Sequence, residues 1–198
     1  MILSAFSFNG CSLLNNGNDK PEGIATTSTV ICDLLDKLNC DNVVGVPATG
    51  KDLPERYADV KKIGAPMEPQ IEILKQVNPE IVLVPKTLEA SLSAELSAAN
   101  INVKYINLSD ISEMYKDILE LGELFGRQTE AAKLSNDYKV YMDSYPKSDT
   151  DITVMTVMAF SSLFTIATED SYAGNLVKLA GGKNVYGANY VSDGTGVI

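Results

Sequence analysis

Short apolar runs rich in β-branched residues alternate with helical patterns along the chain, and this alternation limits the possible folds more than any other feature. The first three runs span residues 43–46, 81–84 and 103–106, and helix-forming segments separate them. Continuous apolar strands separated by helices are typical of a parallel sheet with both faces covered. We therefore predict an α/β fold whose N-terminal lobe is Rossmann-like.

Several of the helices have recognisable start signals. Thr27 or Ser28 is a suitable N-cap for a first helix whose apolar stripe spans residues 30–38. Pro69 fits the first turn of a second helix, because the first turn leaves its N–H groups without intrahelical partners. Ser109 is expected to cap a later helix in the same way. Each helix would return the chain for another parallel strand.

A long polar helix is predicted to divide the chain, because its good helix formers carry few apolar residues. After it, residues 152–158 are expected to form a strand and residues 171–179 a helix. These few elements cannot build a complete sheet domain, so we expect a fragment of a longer protein or strands borrowed from a partner. The predicted parts are a leader and tether (1–22), an N-terminal α/β lobe (23–126), a bridging helix (127–149) and an incomplete α/β C-terminal lobe (150–198).

Composition and absent motifs exclude several function classes. The chain contains no histidine, which rules out histidine-dependent nucleophiles and histidine zinc sites. Its formal net charge of −10 at pH 7 argues against nucleic acid as a partner. No glycine-rich phosphate loop and no GxSxG motif is present. A small α/β enzyme with carboxylate or lysine chemistry is therefore the weaker alternative to a binding protein.

The three cysteines have different expected roles. Cys32 lies in the first helical pattern and Cys40 just beyond it, on the order of 12 Å away, which is too far for a disulfide, so both are predicted to be free and buried. Cys11 follows an apolar run and precedes a polar, glycine-containing stretch, the layout of a bacterial lipoprotein leader. An acylated Cys11 would tether the protein to the membrane. The alternative is an incidental cysteine in a frayed N-terminus.

Five motifs occur in order along the chain: ATTST from residue 25, DLPERY from 52, GAPMEPQIEIL from 64, NPEIVL from 78 and ATEDSYAGNLVKLAGGKNVY from 167. Together they resemble the haem-receptor lipoproteins of the iron-regulated surface determinant systems of Gram-positive bacteria. That family belongs to the helical-backbone class of ABC-importer binding proteins, with two α/β lobes joined by one long helix. The class also takes up siderophores and cobalamin, which is the alternative ligand assignment. The PMEP and SYAGN stretches favour haem.

The resemblance implies that the chain captures haem at the outer face of the cell membrane. Cell-surface donor proteins would supply the haem, and the permease subunits of an ABC importer would receive it. By the same resemblance Met67 is an axial ligand of the haem iron, a role that suits a neutral thioether. The alternative is that Met67 fills a gap in the core. The family's second axial ligand is a histidine, which this chain lacks.

Five further residues are implied in ligand binding, through the haem propionates or the porphyrin face. Lys51 matches a family lysine at the pocket mouth, where a cation would pair with a propionate; its alternative is a solvated loop lysine. Thr26, Thr27 and Ser28 lie at a strand-to-helix turn, and their alternative is simple N-capping. Tyr172 is expected to stack on the porphyrin, or else to pack at the rim.

Glu72 has a separate expected role. Receptors of this class present one exposed carboxylate per lobe to arginines of the permease, and Glu72 matches the N-lobe position. An ordinary solvated helix glutamate is the alternative. The resemblance implies no catalytic residue.

Overall fold

A computed structural model describes residues 22–146, 151–160 and 163–187. In chain order the elements are β1 (Ile24–Thr26), α1 (Thr29–Lys37), β2 (Val43–Gly45), β3 (Gly64–Ala65), β4 (Glu68–Pro69), α2 (Ile71–Val77), β5 (Ile81–Pro85), α3 (Glu89–Ala98), β6 (Val103–Ile106), α4 (Ile111–Leu124), α5 (Gln128–Ser144), β7 (Thr153–Val154), β8 (Val157–Phe160), β9 (Leu163–Ile166), α6 (Tyr172–Leu179) and β10 (Lys183–Asn184). Short 3₁₀ helices lie at Glu55–Tyr57 and Lys86–Leu88. No helix in these ranges is long and apolar enough to cross a bilayer.

The centre of the fold is a four-stranded parallel sheet with the order β2-β1-β5-β6. The chain runs outward from β1 to β2, then returns to the other side of β1 to place β5 and β6. The direction of winding therefore reverses between β1 and β5. In open α/β sheets ligands bind at this switch point, outside the carboxyl ends of the strands. The predicted α/β fold with a parallel sheet is confirmed.

Two apolar layers cover the two faces of the sheet, because alternate residues of each strand point to opposite faces. On one face Ile24 and Leu83 pack with residues of α1, α4 and α5, including Ile31, Ile118 and Ala131. On the other face Ala25, Val82 and Val84 pack with α2 and α3 through Leu74, Leu92 and Leu96. The continuous apolar strands predicted from the sequence thus have both faces buried.

Two predicted start signals are wrong. Pro69 lies in β4, paired with Gly64, and α2 begins only at Ile71. Proline fits there because a strand of two residues needs few ladder hydrogen bonds. Asp110 rather than Ser109 caps α4, since the Asp110 side chain accepts a hydrogen bond from the Glu113 N–H at 3.0 Å.

The long polar helix is confirmed as α5, in which Ala131 is the buried residue. Beyond it, the single strand predicted over residues 152–158 is wrong. The segment forms two strands, because β7 pairs with β10 in parallel while β8 pairs with β9 in antiparallel. The division of the chain into lobes stays a prediction.

Cys32 and Cys40 are free and buried, as predicted. Burial raises the pKa of the Cys32 thiol to about 12 and that of the Cys40 thiol to about 11. Neither thiol is therefore a ready nucleophile. Cys11, the predicted lipidation residue, lies outside the described residues.

Candidate functional site

The turn from β1 into α1 lies at the carboxyl edge of the sheet, beside the switch point. Thr26, Thr27 and Ser28 form this turn, and all three are buried. The Ser28 N–H donates to Thr26 Oγ1 at 3.2 Å, and the Thr27 N–H donates to the Leu83 carbonyl at 3.3 Å. The first bond lies within the turn and the second joins the turn to β5, so the turn backbone is held by the sheet.

The same turn has unused hydrogen-bonding capacity. Thr27 Oγ1 is buried and has no partner among the described residues. Ser28 is the N-cap residue of α1, but its side chain makes no capping hydrogen bond, and the first turn of α1 contains no acidic residue. The first N–H groups of any α-helix lack intrahelical partners and carry a partial positive charge. The arrangement suits a carboxylate or another anion.

Met67 lies at the tip of a β-hairpin formed by β3 and β4. The hairpin pairs Gly64 with Pro69 and Ala65 with Glu68, which leaves Pro66 and Met67 as the two turn residues. The Met67 side chain is 68% exposed. Met67 therefore does not fill a gap in the core, and its thioether is available to a ligand.

Lys51 and Glu72 lie on either side of this hairpin in the chain, and both are exposed. The Lys51 N–H donates to Thr49 Oγ1 at 3.1 Å, which shapes the loop after β2. Glu72 lies in the first turn of α2, where the helix dipole favours a carboxylate. No ion pair within the described part of the chain includes either residue.

A cavity of about 490 Å³ lies between α1, the start of α4, α5 and α6. It is lined by Val30, Leu108, Ile111, Met114, Tyr138, Tyr141, Met142, Tyr172 and Leu176. Tyr172 is 55% exposed, and the preceding Ser171 caps α6 by accepting the Gly174 N–H at 3.1 Å. Apolar walls with a few tyrosine hydroxyls are typical of sites for large, mostly apolar ligands.

The structure places the predicted ligand-binding residues in two groups along the sheet edge. Tyr172 lines the cavity together with Val30, the second residue of α1, which comes two residues after the Thr26–Ser28 turn. Lys51 and Met67 belong to the segments after β2, which are joined by a hydrogen bond from the Ala48 N–H to the Gly64 carbonyl. Met67 is not part of the cavity wall.

Of the residues that line the cavity, only Tyr172 was predicted from the sequence to bind a ligand. Tyr138 and Tyr141 are visible in the sequence as apolar residues on an otherwise polar helix, which is the available signal. Met114 and Met142 carry no such signal. Within the described ranges no three His, Cys, Asp or Glu side chains are grouped to hold a metal ion.

The chain is similar in sequence to known binding proteins. Residues 24–195 match the family described as periplasmic binding protein. The high-affinity heme uptake system protein IsdE of Staphylococcus aureus is 31% identical over 192 residues, which cover 93% of this chain and 65% of IsdE. The chain thus spans slightly less than two thirds of the length of that curated relative.

The fold is also similar to solved structures of binding proteins. An ABC transporter substrate-binding protein from Listeria monocytogenes EGD-e is 37% identical with a TM-score of 0.77, and the match covers 87% of this chain and 67% of that one. S. aureus IsdE complexed with heme is 30% identical with a TM-score of 0.81, covering 88% and 70%. The resemblance inferred from the five motifs is confirmed.

Proposed function

The chain belongs to the periplasmic binding protein family, and on that premise we propose that it captures haem outside the cytoplasm and delivers it to an ABC importer. The observation that carries the proposal is the exposed Met67 thioether at the sheet edge, in a chain 31% identical to a haem uptake protein. Haem is here the transported ligand, and the protein performs no covalent chemistry on it.

Met67 is proposed as the axial ligand that this chain supplies to the haem iron. A thioether is uncharged and soft, so it binds haem iron without first losing a proton. The hairpin presents it to solvent, whereas Met114 and Met142 are partly buried in the cavity wall. Met155 and Met158 are also exposed, but they come after α5 in the sequence, whereas Met67 comes before it.

The two ends of a haem molecule need different surroundings, and the sheet edge offers both. The propionates would pair with the Lys51 ammonium or with the N–H groups at the start of α1, next to the buried Thr26–Ser28 turn. The apolar part of the macrocycle would use the cavity wall, where Tyr172 offers an exposed ring for stacking.

Delivery requires a docking surface, and Glu72 is proposed to provide part of it. Its exposed carboxylate, which has no ion-pair partner in the described part of the chain, is suited to a permease arginine. Cell-surface haem donors, lipidation at Cys11 and the arrangement of two lobes around residues 127–149 belong to the same proposal.

The proposal is tested by titrating the chain with hemin and recording the Soret band. Wild type should shift and sharpen the band, while Met67→Ala should change its position and weaken binding by at least about tenfold, or 1.4 kcal/mol. Met155→Ala is the matched control, since it removes a methionine that is 54% exposed elsewhere. Binding of cobalamin or a ferric siderophore, with no response to hemin, would instead support the alternative ligands.

A further inference from the structure

We infer that Gly64 is a positioning residue for the Met67 thioether. The inference rests on the proposed role of Met67 as an iron ligand. The hairpin that carries Met67 contains two residue pairs, Gly64 with Pro69 and Ala65 with Glu68. Because no further residue pairs fix the shape of so short a hairpin, the backbone conformation at Gly64 determines where the tip lies.

Gly64 adopts a conformation that other residues rarely reach. Its φ angle is +108°, outside the regions allowed to residues with a side chain. A Cβ atom at this position would lie 2.7 Å from the Gln70 nitrogen and 2.7 Å from the Glu68 oxygen. Both are backbone atoms of the opposite side of the hairpin, so no side-chain rotation relieves the clash. Any substitution must therefore move the hairpin itself.

The base of the hairpin is fixed to the sheet region. The Ile63 N–H donates to the Val46 carbonyl at 2.9 Å, and the Gln70 N–H donates to the Ile63 carbonyl at 2.7 Å. Ile63 and Val46 are fully buried. Because the base is held in the core while Met67 is exposed, a displacement at Gly64 moves the tip more readily than the base.

Gly64 also joins the two segments that are proposed to contact haem on this side. Its carbonyl accepts the Ala48 N–H at 2.7 Å, and the loop from Ala48 continues to Lys51. Gly64 therefore helps to set the position of the thioether relative to the lysine. Gly50 lies in the same loop, and a Cβ there would meet nothing within 4 Å. It provides a matched glycine without the steric constraint.

The test is a double-mutant cycle in hemin binding, using Gly64→Ala, Met67→Ala, the double variant and Gly50→Ala in the full chain. Gly64→Ala should lower affinity about tenfold and move the Soret band in the direction that Met67→Ala moves it. The double variant should bind no more weakly than Met67→Ala, because the group being positioned is already absent. Gly50→Ala should match wild type. Circular dichroism establishes that each variant is folded.

A wild-type Soret band and affinity in Gly64→Ala would overturn the inference, and so would additive losses in the double variant. If wild type does not respond to hemin, or Met67→Ala matches wild type, the proposed role of Met67 fails and the inference fails with it. If Gly64→Ala does not fold, Pro66→Gly loosens the same hairpin at its tip without adding an atom. An unchanged Soret band in Pro66→Gly would then show that hairpin shape does not control ligation.

Discussion

Two regions of the chain bury their side chains to different extents, although both are built from short strands and helices. We call them the sheet region (22–146) and the ribbon region (151–160 and 163–187). Every buried hydrophobic side chain in the described residues belongs to the sheet region, except Ala167. In the ribbon region Ile152 is 58% exposed and Met158 is 53% exposed. The sheet region has a four-stranded sheet, whereas the ribbon region has two-stranded pairs.

The difference shows that strand formation alone does not produce a core. Two-stranded ribbons are marginal in water because they offer little surface on which to bury a helix. Each fully buried leucine or isoleucine contributes about 1.5–3 kcal/mol, and the sheet region has many such residues. We therefore expect the sheet region to dominate the free energy of unfolding, and the ribbon region to open at lower cost.

The largest expected effect comes from matched leucine substitutions in the two regions. Leu83 in β5 is fully buried, and Leu83→Ala should lower the free energy of unfolding by about 2–5 kcal/mol. Leu176 in α6 is 43% exposed, and Leu176→Ala should lower it by less than about 0.5 kcal/mol. Urea unfolding followed by circular dichroism measures both. Equal losses would show that the two regions unfold as one cooperative unit.

An intermediate effect is expected from alkaline pH, which acts on the sheet region. Cys32 and Cys40 lie in and just after α1, and burial raises their pKa from 9.0 to about 12 and about 11. Above pH 9 the unfolded chain loses these protons while the folded chain keeps them, so folding stability falls as pH rises through that range. The contribution is fully present below pH 9.

Urea unfolding at pH 8 and pH 10 measures this loss, and Cys32→Ala with Cys40→Ala is the control that should reduce it. The Tyr57 phenol adds to the trend only above pH 10, because burial also raises its pKa above the usual value of 10.0. A pH dependence that is identical with and without the two thiols would contradict the assignment.

The parts of the fold that could be predicted are those in which local pattern and burial agree. Residues 81–84 are apolar without interruption and form part of β5, buried on both faces. The free state of Cys32 and Cys40 could be predicted because helical spacing puts the two residues too far apart for a disulfide. The exposure of Met67 agrees with its position between two prolines, which favour a turn.

The remaining features depend on contacts between distant parts of the chain. Ser109 and Asp110 are both good N-cap residues, so the sequence does not decide between them, and in the fold it is the Asp110 side chain that accepts the Glu113 N–H at the start of α4. The break in residues 152–158 reflects a change of pairing partner, since β10 is contributed by residues far along the chain. The cavity combines four helices, so no local pattern defines it.

The smallest expected effect compares the same capping device in the two regions. Asp110 accepts the Glu113 N–H at 3.0 Å at the start of α4, and Ser171 accepts the Gly174 N–H at 3.1 Å at the start of α6. An N-cap contributes about 1 kcal/mol to the helix that it begins. Asp110→Ala should therefore lower the free energy of the main unfolding transition by about 1 kcal/mol.

Ser171→Ala removes a capping bond of similar length and also the Ser171 Oγ–H bond to the Thr168 carbonyl at 2.7 Å. It should nevertheless change that transition by less than about 0.3 kcal/mol, because α6 belongs to the region that we expect to open first. Its effect should appear instead as faster hydrogen exchange at the amides of α6, with those of β1 and β5 unchanged. Ser93→Ala, in the interior of α3, is the control for replacing a serine by alanine in a helix. If Ser171→Ala costs as much as Asp110→Ala in the main transition, the ribbon region is coupled to the sheet region despite its exposed side chains.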